Sequence, residues 1–207
     1  MDTFELITRE RTTLADALDG LTAEQWVQPS RCDGWRVRDV LAHLVFPFET
    51  SVPSVLVKMV RARFDFNRMS DAAARGDARP TAEMLAVYRA NVAHRFTPPG
   101  FGPEAPLTDT IVHGDDMLGP LGIERTVAPE AVTVVLDFTM TKRAARAFTA
   151  PGRVEGLAFR AADVSWSAGA GPEVHGPATQ LVSALCGRTA ALPTLAGDGL
   201  DTFRARL

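Results

Sequence analysis

The sequence predicts a mainly α-helical protein that ends in a small α+β segment. From the N-terminus to about residue 150, apolar residues recur at intervals of three and four, which is typical of amphipathic helices. From about residue 151, apolar residues alternate with small or charged ones, which is typical of short strands. We therefore predict a helical domain over residues 1–150 and a small α+β domain over residues 151–207.

The helical domain is predicted to contain four or five helices. Gly20 ends the first of them, and Pro47 is expected to kink or interrupt the second. Thr81 is a plausible N-cap for the third helix, and Pro129 suits the first position of the fifth. The apolar patterns of these helices cover residues 4–18, 37–48, 84–92, 107–118 and 132–148. Residues 61–79 are charged and rich in alanine, so there we expect a helix end followed by a loop.

The C-terminal domain is predicted to contain two strand-like segments and two helices. Leu157, Phe159, Ala161, Val164 and Trp166 define the first strand-like segment. A glycine-rich turn then separates it from a short second strand, and each of the two helices follows a glycine or proline. In chain order, the second strand and the two helices are expected at residues 173–175, 177–186 and 198–207.

Composition excludes several classes of function for this chain of 207 residues. A formal net charge of −3 argues against a nucleic-acid surface as the main partner. No apolar run approaches the roughly 20 residues that a membrane-spanning helix needs. The N-terminus lacks a signal-peptide pattern, so a cytoplasmic protein is expected. Cys32 and Cys186 form no spaced motif and are expected to be thiols rather than a disulfide.

Three residues form a candidate metal-binding set. Asp109 and His113 are four positions apart in a predicted helix and therefore share one face of it. His43 lies in the second predicted helix, at the border of its apolar stripe. Two imidazoles and one carboxylate on facing helices would leave a coordination position open, as in a catalytic zinc site.

The open position would bind water or a thiol, and a coordinated thiol would be deprotonated. Asp116, one turn beyond His113, could orient that imidazole. The alternative, that Asp116 is an ordinary solvated residue of the helix, is equally supported by the sequence. An Asp–His pair at this spacing is also a common surface ion pair that contributes only a few tenths of a kcal/mol. On spacing alone, this ordinary interpretation is the stronger one.

Two sequence runs are similar to a known family. Residues 26–44, with Ser30, Cys32, Gly34-Trp35 and His43, closely resemble the N-terminal signature of the mycothiol-dependent maleylpyruvate isomerases. These are DinB-like metal-binding four-helix bundles of actinobacteria. Residues 109–116 resemble the second signature of the family, and residues 176–199 resemble the small α+β domain that many members append. The resemblance implies that His43, Asp109 and His113 bind a divalent metal, with zinc as the expected ion.

The resemblance also implies a reaction. Characterised members use the metal to activate the thiol of mycothiol, so the implied partners are this low-molecular-weight thiol and a small electrophile. The implied outcome is isomerisation or S-transfer. Two departures from the family pattern stand out: Asp109 replaces a glutamate, and Arg36 replaces a helix-capping serine or threonine. The substrate-contacting arginine of the family matches no single residue, and the candidates are Arg61, Arg63, Arg68 and Arg89.

Two other functional classes stay open on the sequence. The first is a bundle that binds a metal or ligand without turnover, which the shortened Asp109 favours slightly. The second is a structural interaction domain in which the three residues form ordinary hydrogen bonds. The sequence does not determine the oligomeric state, and a homodimer is one possibility.

Overall fold

The computed structural model describes residues 2–50 and 52–207, without the side chain of Val52. Its α-helices are α1 (Thr3–Asp19), α2 (Ala23–Trp26), α3 (Val37–Glu49), α4 (Val52–Arg61), α5 (Phe66–Arg75), α6 (Thr81–Ala90), α7 (Glu104–Leu118), α8 (Pro129–Thr139), α9 (Ala178–Leu185) and α10 (Leu200–Arg204). Its strands are β1 (Ala158–Ala161), β2 (Ser167–Gly169) and β3 (Glu173–Gly176). The prediction of a mainly α protein with a small C-terminal α+β part is confirmed.

The chain divides into two compact units. The bundle unit comprises Arg11–Phe96 and His113–Arg125, and the sheet unit comprises the chain up to Glu10, Thr97–Val112 and Thr126–Leu207. Helices α1 and α7 each continue from one unit into the other. The domain boundary at residue 150 stays a prediction.

Helices α1, α3, α6 and α7 bury their apolar stripes against one another in the core of the bundle unit. Periodic apolar positions on each helix place these side chains on one face, and their removal from water stabilises the packing. The core contains Leu14 and Leu18 from α1, Val40, Leu41, Leu44 and Val45 from α3, Met84, Leu85 and Tyr88 from α6, and Met117 and Leu118 from α7.

Helix α5 corrects the expectation of a loop over residues 61–79. Asp65 caps this helix, because its side chain accepts a hydrogen bond from the backbone N–H of Arg68 at 3.0 Å. Only Met69 and Ala74 are buried on α5, so the apolar pattern was too sparse to predict the helix. The helix packs against α3, the helix that carries His43.

Two helix boundaries also differ from the predictions. Pro80 rather than Thr81 is the N-cap of α6, and Thr81 is its first helical residue. Helix α8 ends at Thr139 instead of continuing to residue 148. The hydroxyl groups of Thr139 and Thr141 donate hydrogen bonds to the carbonyl groups of Leu136 and Phe138, so these carbonyls find partners without a further helical turn.

The sheet unit holds a three-stranded sheet with the order β2-β1-β3. Strand β1 pairs with β2 in antiparallel and with β3 in parallel orientation, so Phe159 lies opposite Ala168 on one side and Val174 on the other. Val164 and Trp166 were predicted in a strand, but they lie in the connection between β1 and β2. Trp166 is buried there in the hydrophobic core, and its indole N–H is satisfied by a hydrogen bond that it donates to Asp137 at 2.8 Å.

The apolar side of this sheet packs against helices of the same unit. Phe159 is fully buried, and its ring meets that of Phe203 from α10 edge to face at a centroid distance of 5.3 Å. Strand β1 alternates buried and more exposed residues at Phe159, Arg160 and Ala161, as the period of two predicts. Among the described residues, no helix combines the length and the apolar character that crossing a membrane requires.

Candidate metal centre

Helix α3, which carries His43, begins without a serine or threonine cap. Arg36 is the N-cap residue, and Asp39 in the first turn accepts hydrogen bonds from the backbone N–H and the guanidinium of Arg36. Burial raises the pKa of Asp39, but the hydrogen bonds and positive charge of Arg36 outweigh burial and hold that pKa below its ordinary value. An ionised Asp39 therefore starts the helix one turn before His43.

His43 and His113 lie close together within the bundle unit. Their ring centroids are 4.9 Å apart, and the ring planes meet at 71°. His43 extends from α3 and His113 from α7, and both side chains are partly exposed. The two imidazoles predicted from distant parts of the sequence are thus neighbours in space.

Asp109 stands one turn before His113 on the same continuous helix α7. His43, Asp109 and His113 each offer one ligand atom, and these atoms all lie within 4.8 Å of one another. Two imidazole nitrogens and a carboxylate oxygen are the donor types that zinc accepts, at about 2.0–2.2 Å. The residues present therefore fit a divalent metal, and their assignment as ligands stays a prediction.

One ring nitrogen of each histidine is held by a hydrogen-bonding partner. Nδ1 of His43 lies 2.9 Å from the hydroxyl oxygen of Ser70, and Nδ1 of His113 lies 2.9 Å from Oδ2 of Asp116. Asp116 is fully buried. Partners of this kind fix the orientation and tautomer of a histidine, which directs Nε2 to a metal. Asp116 therefore lies within hydrogen-bonding distance of His113, and its role in orienting that ring stays a prediction.

Cys32 lies next to the His113–Asp116 pair. Its Sγ is 3.1 Å from Oδ2 of Asp116 and 3.6 Å from Nδ1 of His113. Cys32, His113 and Asp116 form a second group of potential ligands whose atoms meet the same 4.8 Å limit. Both Cys32 and Cys186 are thiols in this structure, as expected.

An aromatic side chain borders His43. The ring of Trp35 lies 5.4 Å from that of His43, centroid to centroid, and its indole N–H donates a hydrogen bond to Asp71 at 2.9 Å. Because Asp71 follows Ser70 on α5, this one helix orients both Trp35 and His43. Trp26, the first residue of the resembling run, is instead buried in the core of the bundle unit.

The four arginines considered as substrate contacts are all exposed. Arg89 is engaged with helix α1, where it donates hydrogen bonds to Asp16 at 2.6 Å and to the carbonyl oxygen of Ala15 at 3.1 Å. The other three candidates are Arg61, Arg63 and Arg68. None of the four is singled out by these contacts, so the substrate-contacting arginine stays unassigned.

Two residues of this centre were not predicted from the sequence. Ser70 was missed because its helix was predicted as a loop, and Asp65 as an N-cap ahead of Phe66 was the available signal. Cys32 was read only as part of a loop and as a thiol, although it belongs to the same run as His43. The proximity of Cys32 to His113 has no signal in residue spacing, since 81 residues separate them.

Comparisons with known proteins agree with this architecture. Residues 7–98 match the family described as the mycothiol maleylpyruvate isomerase N-terminal domain, which confirms the resemblance of the sequence runs to that family. The crystal structure of the mycothiol-dependent maleylpyruvate isomerase is similar, with a TM-score of 0.61 and 14% identity, covering 95% of this chain and 91% of that chain. The structure of a histidine-to-alanine mutant of that isomerase matches with the same values. No curated protein sequence matches this chain.

Proposed function

We propose that this chain, a relative of the mycothiol-dependent maleylpyruvate isomerases, is a metal-dependent enzyme that uses a low-molecular-weight thiol. His43, Asp109 and His113 would hold a divalent ion, with zinc as the expected metal. Mycothiol would be the thiol, and a small electrophile would be the second substrate.

The observation that carries this proposal is the paired support of the two histidines. A histidine in an ordinary packing role does not require a second imidazole and a carboxylate beside it. Here Ser70 and Asp116 each hold an Nδ1 atom, the rings lie 4.9 Å apart, and a carboxylate stands one turn from His113. Such supporting partners are typical of histidines that bind a metal through Nε2.

A bound divalent ion would supply a Lewis acid that keeps a coordinated thiol in its thiolate form. The protein contributes orientation. His43 and His113 would present Nε2 from two different helices, and Asp116 would stabilise the Nδ1–H tautomer of His113. The ring of Trp35 lies beside that of His43. Attack of the thiolate on the electrophile leads to isomerisation if the adduct rotates and eliminates the thiol, and to S-transfer if it does not.

Metal analysis of purified protein tests the ligand set. We expect about one zinc ion per wild-type chain, and loss of most of this metal in His113→Ala, because zinc needs at least three protein ligands at a catalytic site. His175→Ala is the matched control, since His175 lies on β3 in the sheet unit and should leave the metal content unchanged. A His113→Ala protein that keeps full metal content would refute the assignment.

Two assays test the activity, one of electrophile isomerisation and one of thiol consumption. We expect mycothiol-dependent conversion of a small electrophile, without net loss of thiol if the reaction is isomerisation and with loss of thiol if it is S-transfer. A chelator should abolish either activity. The rival function is a bundle that binds metal without turnover, which the short side chain of Asp109 favours. Stoichiometric zinc with neither thiol consumption nor mycothiol-dependent isomerisation, across a panel of electrophiles, would support that rival and refute the enzyme.

A further inference from the structure

The loop before α3 is held firmly against helix α7. The backbone N–H of Arg31 donates a hydrogen bond to the carbonyl oxygen of Asp116 at 3.0 Å, and the guanidinium of Arg31 forms a salt bridge with Asp115. Within the loop, the backbone N–H of Cys32 donates to the hydroxyl oxygen of Ser30 at 3.1 Å. The thiol of Cys32 is therefore placed beside Asp116 by several contacts that do not involve sulfur.

The thiol and the imidazole converge on one carboxylate oxygen. Oδ2 of Asp116 lies 3.1 Å from Sγ of Cys32 and 2.9 Å from Nδ1 of His113. Asp116 is fully buried, so its carboxylate depends on protein donors instead of water. A thiol is a weak donor, but its bond to an ionised carboxylate is charge-assisted.

These distances favour hydrogen bonds over a second metal site. Tetrahedral zinc with bonds of about 2.0 Å to nitrogen or oxygen and 2.3 Å to sulfur would keep its ligand atoms about 3.3–3.6 Å apart. Both contacts to Oδ2 of Asp116 are shorter than that range. The group of Cys32, His113 and Asp116 is therefore better explained by two hydrogen bonds, from the thiol and from the imidazole N–H, that share Oδ2 of Asp116 as acceptor.

We propose that Cys32 is a positioning residue for His113. Its S–H group donates to Oδ2 of Asp116 and holds that oxygen in line with Nδ1–H of His113, so that Nε2 of His113 keeps one direction. This inference rests on the proposed function for its consequence, a higher metal affinity. Without the thiol, the buried carboxylate has one donor fewer and can rotate, and the imidazole loses its fixed tautomer.

Zinc affinity of three variants, measured by chelator competition, tests the consequence. Loss of a residue that supports a metal ligand commonly lowers affinity 10–100-fold, and we expect about a tenfold loss for Cys32→Ala. Cys32→Ser restores an O–H donor and should return affinity to near the wild-type value. Cys186→Ala is the matched control, because it removes the other thiol, which lies in the sheet unit, and should change nothing.

Nitrogen NMR of the His113 ring in metal-free protein tests the cause. We expect the Nδ1–H tautomer to dominate in the wild type and in Cys32→Ser, and a mixture of tautomers in Cys32→Ala. Unchanged affinity together with an unchanged tautomer in Cys32→Ala would overturn the proposal. If Cys32→Ala does not fold, a Cys32→Ser protein that folds but binds zinc ten times more weakly, with mixed tautomers, overturns it equally.

The two proposals fail in different ways. A wild-type protein that binds no zinc refutes the proposed function, while the metal-free His113 spectra still decide whether Cys32 orients the ring. A wild-type protein that binds zinc, with a Cys32→Ala variant of equal affinity and tautomer, refutes only the role of Cys32.

Discussion

Replacing Asp39 with alanine should destabilise the protein measurably, because Asp39 starts the helix that carries His43. Its carboxylate accepts hydrogen bonds from the backbone N–H of Arg36 at 2.9 Å and from the guanidinium at 2.9 and 2.8 Å. Loss of such a helix-terminal bond costs about 0.5–2 kcal/mol. The side chain of Arg36 is 46% exposed, so its ion pair with Asp39 adds at most about 1 kcal/mol.

These terms predict a loss of about 2 kcal/mol for Asp39→Ala. For a chain of this size, 1 kcal/mol corresponds to a shift in Tm of about 2–4 °C, so Tm should fall by about 4–8 °C. Calorimetry at pH 7 measures this. Asp65→Ala is the matched control, because Asp65 is exposed and caps α5 through one backbone bond. Its Tm should fall by less, and a Tm of Asp39→Ala at or above the wild-type value would refute the reasoning.

The stabilisation by Asp39 should also depend on pH. The pKa of Asp39 in the folded protein is below its ordinary value, which is about 3.9 in the unfolded chain. As the pH falls, the unfolded state therefore binds the proton first, and the contribution of Asp39 to the free energy of unfolding is fully present above about pH 4. It disappears as the pH falls through the lower, folded-state pKa. The difference in unfolding free energy between wild type and Asp39→Ala should shrink over this acidic window, and a constant difference would contradict the assignment.

Two further substitutions test the centre and the sheet unit. Ser70→Ala removes the partner of Nδ1 of His43, so zinc affinity in a chelator competition should fall about tenfold, whereas unchanged affinity would show that Ser70 does not support the ring. Phe159→Ala removes a fully buried ring that packs on Phe203, so urea denaturation should show a loss of about 3–5 kcal/mol. A loss under about 1 kcal/mol would contradict that packing.

Much of the helical part could be predicted from residue spacing. The helices with long apolar stripes, α1, α3 and α7, appear where the intervals of three and four predict them, because burial of a periodic face is a local property of the sequence. Helix α5 could not be found in this way, since most of its residues are solvated and its stability depends on packing against α3. The ends of α6 and α8 were misplaced because hydrogen bonds of side chains and proline geometry decide them.

The candidate site, too, could be predicted from the sequence only in part. The sequence alone predicts that Asp109 and His113 share a helix face, because residues four positions apart in a helix lie on the same side. Its motifs also indicate the family. Only the tertiary structure could place His43 beside His113 and Ser70 beside the ring of His43. It also brings Cys32 to the carboxylate of Asp116, which contacts the ring of His113. Contacts between residues 27 to 84 positions apart depend on how the helices pack together, and no local pattern of residues encodes that distance.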